Sequence, residues 1–139
     1  MSEHHYLVEP IGMICSPLTS IESAPLQGDE SAPEAWLEFR ASNAEGLIGI
    51  SAGDEVIVLT WFHCAQRNVL QVHPQRDLKA PLMGVFATRS PDRPNPIGLH
   101  QVTVLEIVGH RLRVGPMEAI DGTPIIDIKP SLRPVDERG

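Results

Sequence analysis

The chain has 139 residues, of which 42% are hydrophobic, so it has the size and composition of one folded domain. Its net charge of −7 excludes a protein that binds nucleic acid through overall positive charge. Residues 63–100 differ from the rest because they hold five basic and two acidic residues, and we expect an anionic partner to bind there.

The first half of the chain predicts short strands separated by long loops. Residues 6–14 are predicted to form a first strand, and residues 16–34, rich in Pro, Ser, Gly and Asp, a long loop. A second strand is expected over residues 35–40. Residues 43–50 predict about two turns of helix, with Asn43 as the N-cap.

The middle of the chain contains the strongest strand signal. Residues 55–62 (EVIVLTWF) are almost continuously apolar, β-branched or aromatic, which predicts a strand buried on both faces. Residues 65–82 predict a second long loop, and residues 83–88 another apolar strand. Residues 90–96 cannot form regular structure, because three prolines remove backbone donors and fix φ.

The last part of the chain predicts a hairpin and a final strand. Residues 101–108 and 111–114 flank Gly109-His110 and predict the hairpin, and residues 125–129 the last strand. The high Pro and Gly content and these short elements favour an all-β, mainly antiparallel fold. We therefore expect a single small β-barrel domain over residues 1–139, with long loops and at most one or two short helices.

The N-terminus and the two cysteines indicate a cytoplasmic protein. The first ten residues lack the basic and apolar regions of a signal peptide, and no apolar run is long enough to span a membrane. Cys15 and Cys64 are expected to be free thiols. The spacing of His63, Cys64, His73 and His100 matches no standard zinc pattern, so no metal is expected.

Two segments carry polar residues in patterns that suggest a site. Residues 84–99 read GVFATRSPDRPNPIGL, in which prolines hold the polar side chains on a stiff backbone. Residues 121–130 read DGTPIIDIKP, in which Asp127 and Lys129 face away from the apolar side of a strand. A rigid binding site and a well-ordered surface loop explain the first segment equally well, and a solvated strand face explains the second.

The two segments together resemble the paired signature of the TrmO-like (TsaA-like) family. The opening strand and turn around residues 11–17, the Pro25-x-Gln27 loop and Phe62-His63 are similar as well, so the resemblance covers residues 8 to about 132. It implies a β-barrel enzyme that uses S-adenosylmethionine to methylate N6 of threonylcarbamoyladenosine at position 37 of tRNA. It also implies a homodimer that holds the cofactor close to the subunit interface.

The resemblance assigns the cofactor contacts to three parts of the chain. They are Pro25, Leu26 and Gln27; His63, Cys64, Arg89 and Leu99; and Glu118, Ala119, Ile120 and Asp121. For catalysis, Asp121 and Asp127 are the candidates that can accept the N6 proton. The candidates for contacts with the tRNA anticodon loop are Arg67, Arg76, Lys79, Arg93, Asn95 and Lys129.

The chain differs from the family pattern at Ser131, where Tyr is common, and at Leu26, where a basic residue is common. We expect no additional C-terminal domain of the kind that many bacterial members carry. Three alternatives stay open: a methyltransferase for another RNA or a small molecule, a non-catalytic barrel that senses S-adenosylmethionine, and a purely structural β-protein. Activity on free nucleosides or metabolites, but not on tRNA, would identify the first, and binding without turnover the second.

Overall fold

Six antiparallel strands close into a barrel in the computed structural model, which describes residues 4–19, 32–74 and 77–132. The strands of these residues are β1 (Gly12–Cys15), β2 (Ala35–Phe39), β3 (Glu55–Trp61), β4 (Gln71–Val72), β5 (Met83–Gly84), β6 (Ile97–Val108), β7 (Arg111–Gly115) and β8 (Pro124–Pro130). The order around the barrel is β1-β2-β7-β6-β3-β8, and β4 and β5 form a separate pair. The expected all-β, mainly antiparallel barrel is confirmed.

The core lies inside the barrel because each strand alternates between an inward and an outward face. On β3, Val56, Val58 and Thr60 are buried, whereas Ile57 and Leu59 on the other face are only half-buried. The prediction that this strand is buried on both faces is therefore wrong. The outward residues of β3 are apolar and stay partly accessible to solvent.

An irregularity in the pairing of β3 with β8 sets which residues of β8 face inward. Leu59 pairs with Asp127, but the next residue, Thr60, pairs with Ile125, so an extra residue of β8 is accommodated there. Ile125 consequently reaches the core, and Asp127 lies on the outer face opposite Leu59.

The barrel closes where β1 meets β8, and this seam is short. Only Gly12 and Met13 of β1 pair with β8, through Ile125 and Pro124. A β-carbon at Gly12 would lie 2.4 Å from the carbonyl oxygen of Glu38, which is closer than real contacts allow. Glycine is therefore required at Gly12 for β1 to approach β2 closely enough to close the barrel.

Two predicted elements near the N-terminus have different boundaries in the structure. The first strand begins at Gly12 rather than at residue 6, and Tyr6 is 87% exposed, so no core residue requires a strand there. The predicted helix is a 3-10 helix over Ala41–Leu47. Asn43 lies inside it and is not its N-cap; Arg40 occupies that position without a side-chain cap hydrogen bond.

The strand predicted over residues 83–88 is wrong beyond Gly84. A 3-10 helix over Val85–Ala87 follows β5 directly, and the carbonyl oxygen of Val85 accepts hydrogen bonds from the backbone and hydroxyl of Thr88. Only Val85 of this helix is buried, so the apolar run does not alternate as a strand would. β6, in turn, begins at Ile97, four residues earlier than predicted.

Glycines occupy two of the turns, the first of which is the predicted hairpin. Gly109, in the hairpin between β6 and β7, has a φ of 60°, and Gly122, after Asp121, has a φ of 84°. Both values lie in the left-handed region that glycine adopts without strain. These turns fix the register of the strands that lead to the candidate site.

Candidate functional site

Three long connections meet at the same end of the barrel. β1, β3 and β7 end there, and β2, β6 and β8 begin there, as the antiparallel pairings require. The connections are residues 16–34, 62–96 and 116–123. Ten of the eleven predicted cofactor contacts belong to these connections, and Leu99 lies just inside β6. The strands thus fix both ends of each of these three connections at one end of the barrel.

Within the middle connection, residues 62–67 and 89–96 are hydrogen-bonded into one surface, which we call the proline platform. The backbone N–H of Gln66 donates to Asp92 Oδ1 at 2.8 Å, and the N–H of Arg93 donates to the carbonyl oxygen of Gln66 at 3.1 Å. The N–H of Phe62 donates to the carbonyl oxygen of Pro96 at 2.8 Å. Prolines have no N–H to contribute, so their neighbours make the bonds that hold the platform.

Arg67 links the platform to the end of β3. Its Nε donates to the carbonyl oxygen of Pro94 at 2.7 Å, and its Nη2 donates to Asn95 Oδ1 at 3.1 Å. Its guanidinium carbon also lies 5.1 Å from the centre of the Trp61 ring, within range of a cation–π interaction. The two predicted RNA contacts Arg67 and Asn95 are thus bonded to each other and still exposed to solvent.

Arg93 and Arg89 differ in what they bind. The guanidinium of Arg93 donates to the carbonyl oxygens of Ser90, Val85 and Thr88 at 2.8, 2.8 and 2.5 Å, which leaves only its Nη1 group for a phosphate. Arg89 is exposed and has no ion pair or side-chain hydrogen bond with any other described residue. Its whole guanidinium can therefore bind an anionic ligand.

His63, Cys64 and Leu99 are the other predicted cofactor contacts near the platform. All three are exposed, and Leu99 faces outward from the barrel, opposite Leu59 on β3. Neither polar side chain forms a hydrogen bond with a residue in the described ranges. Together with Arg89, they form an accessible set of donor, thiol and apolar groups.

Asp121 lies at a cavity of about 440 Å³, which is lined by residues of β1, β2 and β7 and of the connections that follow β1 and β7. Its Oδ1 accepts the backbone N–H of Ser16 at 2.9 Å, and its own N–H donates to the carbonyl oxygen of Leu18 at 2.7 Å. Trp36, Glu34 and Arg113 also line this cavity. The sequence did not single out these three residues, because Trp36 and Arg113 are ordinary outward-facing strand positions and Glu34 is the last residue of a predicted loop.

The charges around this cavity are largely paired. Arg113 donates to Glu34 Oε1 at 2.6 Å and to Glu106 Oε1 at 3.0 Å, and these two carboxylates hold the pKa of Arg113 above its usual value. Burial, together with a hydrogen bond to Glu38, raises the pKa of the Cys15 thiol to about 11. Cys15 is therefore a neutral thiol at physiological pH, not a nucleophile.

Glu118 reaches the interior of the barrel rather than the cavity at Asp121. Its Oε1 lies 2.5 Å from Nδ1 of His100, and Nε2 of His100 lies 2.7 Å from the hydroxyl oxygen of Thr60. Thr60 and His100 are buried, and Ala119, the next residue after Glu118, is buried as well. Sequence reasoning considered His100 only as a metal ligand and missed this trio, whose members lie far apart in the chain.

The remaining predicted residues lie away from this end or outside the described residues. Asp127 and Lys129 form an ion pair of 3.3 Å on the outer wall, both about half exposed or more. Lys79 is exposed in the long connection between β4 and β5, and Ile120 is half-buried. Outside the described residues lie Pro25, Leu26, Gln27 and Arg76.

The described ranges hold neither a candidate metal centre nor a helix suited to cross a membrane. In residues 4–19, 32–74 and 77–132, no three His, Cys, Asp or Glu side chains lie close enough together to hold a metal ion. None of the helices in those ranges has the length and apolar character needed to cross a membrane.

A small antiparallel barrel with an arginine-bearing proline platform at one end defines the class of protein. The family described as the tRNA-methyltransferase O N-terminal domain matches residues 13–137, which is most of the chain. The chain therefore belongs to the tRNA-methyltransferase O family, and the expected family is confirmed.

Similar proteins agree in sequence and in structure. A protein of Methanothermobacter thermautotrophicus named "Probable S-adenosyl-L-methionine-binding protein" is 40% identical over 139 residues, covering 100% of this chain and 99% of the relative. The Escherichia coli tRNA (adenine(37)-N6)-methyltransferase is 37% identical over 133 residues. The crystal structure of TrmO from Pseudomonas aeruginosa superimposes with a TM-score of 0.76 at 30% identity over 99% of this chain.

The extent of these matches differs between relatives. The chain spans nearly the whole archaeal relative, but 57% of the Escherichia coli enzyme and 61% of the Pseudomonas aeruginosa protein. The match at 89% of this chain to the Escherichia coli enzyme supports the expected enzyme class, and the names of the archaeal relatives support the expected cofactor, S-adenosylmethionine.

Proposed function

We propose that this protein methylates N6 of threonylcarbamoyladenosine at position 37 of tRNA, with S-adenosylmethionine as methyl donor. The observation that carries the proposal is the convergence of three connections at one barrel end, where Arg89 is exposed without a partner among the described residues. Family membership supports the reaction class, and the name of the Escherichia coli relative supports N6 of adenine 37 as the acceptor.

The residues of this end are compatible with a nucleoside-sized cofactor. A cavity of about 440 Å³ lies within the usual size of ligand sites, and it combines the Trp36 ring with the Asp121 carboxylate. Arg89 can bind the carboxylate of the cofactor in a bidentate manner. His63, Cys64, Leu99 and Glu118 complete the proposed contacts, with Pro25, Leu26, Gln27, Ala119 and Ile120. S-adenosylmethionine supplies the methyl group that is transferred.

Asp121 is better suited than Asp127 to accept the proton that N6 loses. Asp121 lies at the cavity, and one of its oxygens is bound by the N–H of Ser16 while the other has no described partner. Asp127 is ion-paired with Lys129 and accepts the N–H of Ile128 at 2.8 Å. Both oxygens of Asp127 are therefore engaged, and the residue lies on the outer face of the barrel, away from the cavity.

RNA binding in this acidic protein requires a local concentration of positive charge. Arg67 and Lys79 belong to the connection between β3 and β6 and are exposed. Arg76, Arg93, Asn95 and Lys129 remain further candidates. An anticodon loop offers an unstacked nucleotide, so the protein does not have to open a duplex to reach its acceptor.

We also propose that the protein acts in the cytoplasm as a homodimer whose interface lies near the cofactor. Ile97 and Leu99 are 45% and 44% exposed on the outer face of β6, next to the half-buried Leu59 and Trp61 of β3. Such an apolar strip suits burial against a second copy, and Leu99 is itself a proposed cofactor contact.

A methyl-transfer assay tests the proposal. Purified protein is incubated with labelled S-adenosylmethionine and tRNA from cells that lack this methylation, and the nucleosides are identified by mass spectrometry. We expect methylated threonylcarbamoyladenosine. If another RNA nucleoside carried the label, that nucleoside would be the acceptor. If a small molecule carried it, the substrate would not be tRNA.

A second candidate function is a non-catalytic S-adenosylmethionine-binding barrel, which the name of the archaeal relative favours. Calorimetry in the same preparation separates the two functions. Binding of S-adenosylmethionine without transfer to any acceptor would indicate the sensor, whereas transfer excludes it.

A further inference from the structure

A buried polar trio lies inside the barrel at the end that carries the candidate site. It consists of Thr60 on β3, His100 on β6 and Glu118 in the connection before β8. The His100 ring is hydrogen-bonded on both sides, at 2.7 Å to Thr60 and at 2.5 Å to Glu118. The trio therefore links the neighbouring strands β3 and β6 to the connection that carries proposed cofactor contacts.

Burial decides which member of the trio a ligand can reach. Thr60 is fully buried and the side chain of His100 is 1% exposed, whereas the side chain of Glu118 is 17% exposed. Although the arrangement resembles a hydroxyl–imidazole–carboxylate triad, its hydroxyl cannot act as a nucleophile, since no substrate can contact it. Glu118 is the member through which the trio can act on a ligand.

The partners of His100 assign its proton. An ionised carboxylate only accepts hydrogen bonds, so Nδ1 of His100 donates to Glu118, and Nε2 accepts from the hydroxyl of Thr60 in the neutral ring. One oxygen of the Glu118 carboxylate is thus bound by Nδ1 of His100, and Nε2 of the same ring is bound by Thr60. A carboxylate held in this way keeps one orientation when a ligand arrives.

The packing around the trio leaves it little freedom. The Phe62 ring meets the His100 ring edge to face, with 5.7 Å between centres and 87° between planes. A β-carbon at Gly98 would lie 2.4 Å from the Thr60 hydroxyl oxygen and 2.5 Å from the Phe62 ring. Phe62 directly precedes His63, a proposed cofactor contact, so the same packing also supports the start of the proline platform.

We propose that His100 is a positioning residue for the S-adenosylmethionine site, and that it acts by holding the carboxylate of Glu118. The inference rests on the proposed function, in which residues 118–121 contact the cofactor. The second oxygen of Glu118 then accepts a hydrogen bond from a donor of the ligand, a ribose hydroxyl or the ammonium group. Holding the carboxylate in advance lowers the entropy that binding would otherwise cost.

Two variants of His100 test this role, because each places an amide nitrogen near a different ring-nitrogen position. In His100→Asn the side-chain amide nitrogen occupies about the position of Nδ1 and can still donate to Glu118. In His100→Gln the amide nitrogen occupies about the position of Nε2, near Thr60, and the donor to Glu118 is lost. Both variants remove the ring and its contact with Phe62, so a purely structural role predicts equal effects.

The affinity for S-adenosylmethionine is measured by calorimetry for the wild-type protein and both variants. We expect His100→Gln to weaken binding by about tenfold or more, as the loss of a hydrogen bond to a charged group does, and His100→Asn to retain most of the affinity. Equal weakening in both variants, or none in His100→Gln, overturns the role of His100. Wild-type protein without affinity overturns the proposed function, and this inference with it.

A measurement on the wild-type protein covers the case in which the variants do not fold. The nitrogen chemical shifts of the imidazole rings distinguish the two neutral tautomers. Protonation of His100 at Nδ1 alone supports the trio as described, and protonation at Nε2 or at both nitrogens overturns it; the His100 signal has to be assigned, because His73 also faces a carbonyl oxygen with its Nδ1.

Discussion

The guanidinium of Arg67 lies over the ring of Trp61, 5.1 Å from its centre, and at the same time binds Pro94 and Asn95. The residue therefore has a structural role beside its proposed contact with RNA. Lys79 provides the comparison, because it is exposed and its side chain has no partner among the described residues.

We predict that Arg67→Ala lowers the free energy of unfolding by about 1–3 kcal/mol, because three interactions are lost at once. Lys79→Ala is expected to leave stability unchanged. Both variants should weaken tRNA binding and reduce its dependence on salt by about one phosphate contact. Urea denaturation and filter binding at several salt concentrations are the measurements. Unchanged stability in Arg67→Ala would contradict the structural role.

Arg89 and Arg93 are four residues apart, and their replacement is predicted to affect different properties, cofactor affinity for Arg89 and stability for Arg93. Arg93→Ala removes the donors to three carbonyl oxygens and should destabilise the protein by about 2–4 kcal/mol. Arg89→Ala should keep the wild-type stability and lose most of the affinity for S-adenosylmethionine. Thermal denaturation and calorimetry on both variants check this. Wild-type affinity in Arg89→Ala would remove Arg89 from the site.

Gly98 is predicted to tolerate no side chain. In Gly98→Ala the new methyl group would meet the Thr60 hydroxyl and the Phe62 ring, which are both held by His100. Overpacking of this kind costs about 1–3 kcal/mol. Gly46→Ala is the matched control, because nothing lies within 4 Å of a β-carbon there. Equal stability of the two variants in urea would show that the trio is loosely packed.

Two isosteric substitutions distinguish between the candidate bases Asp121 and Asp127. Asp121→Asn is expected to reduce the rate constant of methyl transfer by about a hundredfold or more, as the loss of a general base does. Asp127→Asn should leave the rate nearly unchanged, since its carboxylate is already paired with Lys129. Single-turnover assays with saturating S-adenosylmethionine measure the step directly. The reverse result would make Asp127 the base.

The Cys15 thiol predicts a loss of stability in alkaline solution. Its pKa is raised from 9.0 to about 11 in the folded protein, so between these values the unfolded chain releases a proton that the folded protein keeps. The free energy of unfolding therefore falls as the pH rises through this window. Cys15→Ser should show a shallower fall in urea denaturation at pH 8 and pH 10.5. Identical slopes would contradict the raised pKa.

Much of the barrel could be predicted from local patterns. The hairpin at Gly109 and the last strand follow from short-range signals, namely a turn glycine and alternating apolar residues. The strand boundaries around the proline platform could not be predicted. Ile97 and Gly98 belong to β6 only because they pair with Trp61 and Thr60, almost forty residues away.

The candidate site rests on a different kind of information. The resemblance assigns Arg89 and residues 118–121 to the cofactor, but the sequence did not indicate which of the arginines are bound internally. That distinction depends on the backbone of residues 85–90, where the carbonyl oxygens of Val85, Thr88 and Ser90 accept from Arg93, and a strand had been predicted over residues 83–88. The trio of Thr60, His100 and Glu118 likewise depends on contacts between residues 18 to 40 positions apart.

The seam between β1 and β8 has a consequence for biosynthesis. β1 is the first strand of the barrel to leave the ribosome and β8 the last, yet the two are neighbours in the finished barrel. β3 has the same dependence, since it lies between β6 and β8. The edge of β3 that pairs with β8 therefore stays unpaired in the nascent chain until translation has passed residue 130. Chaperones that recognise exposed apolar strands can bind the chain during that interval.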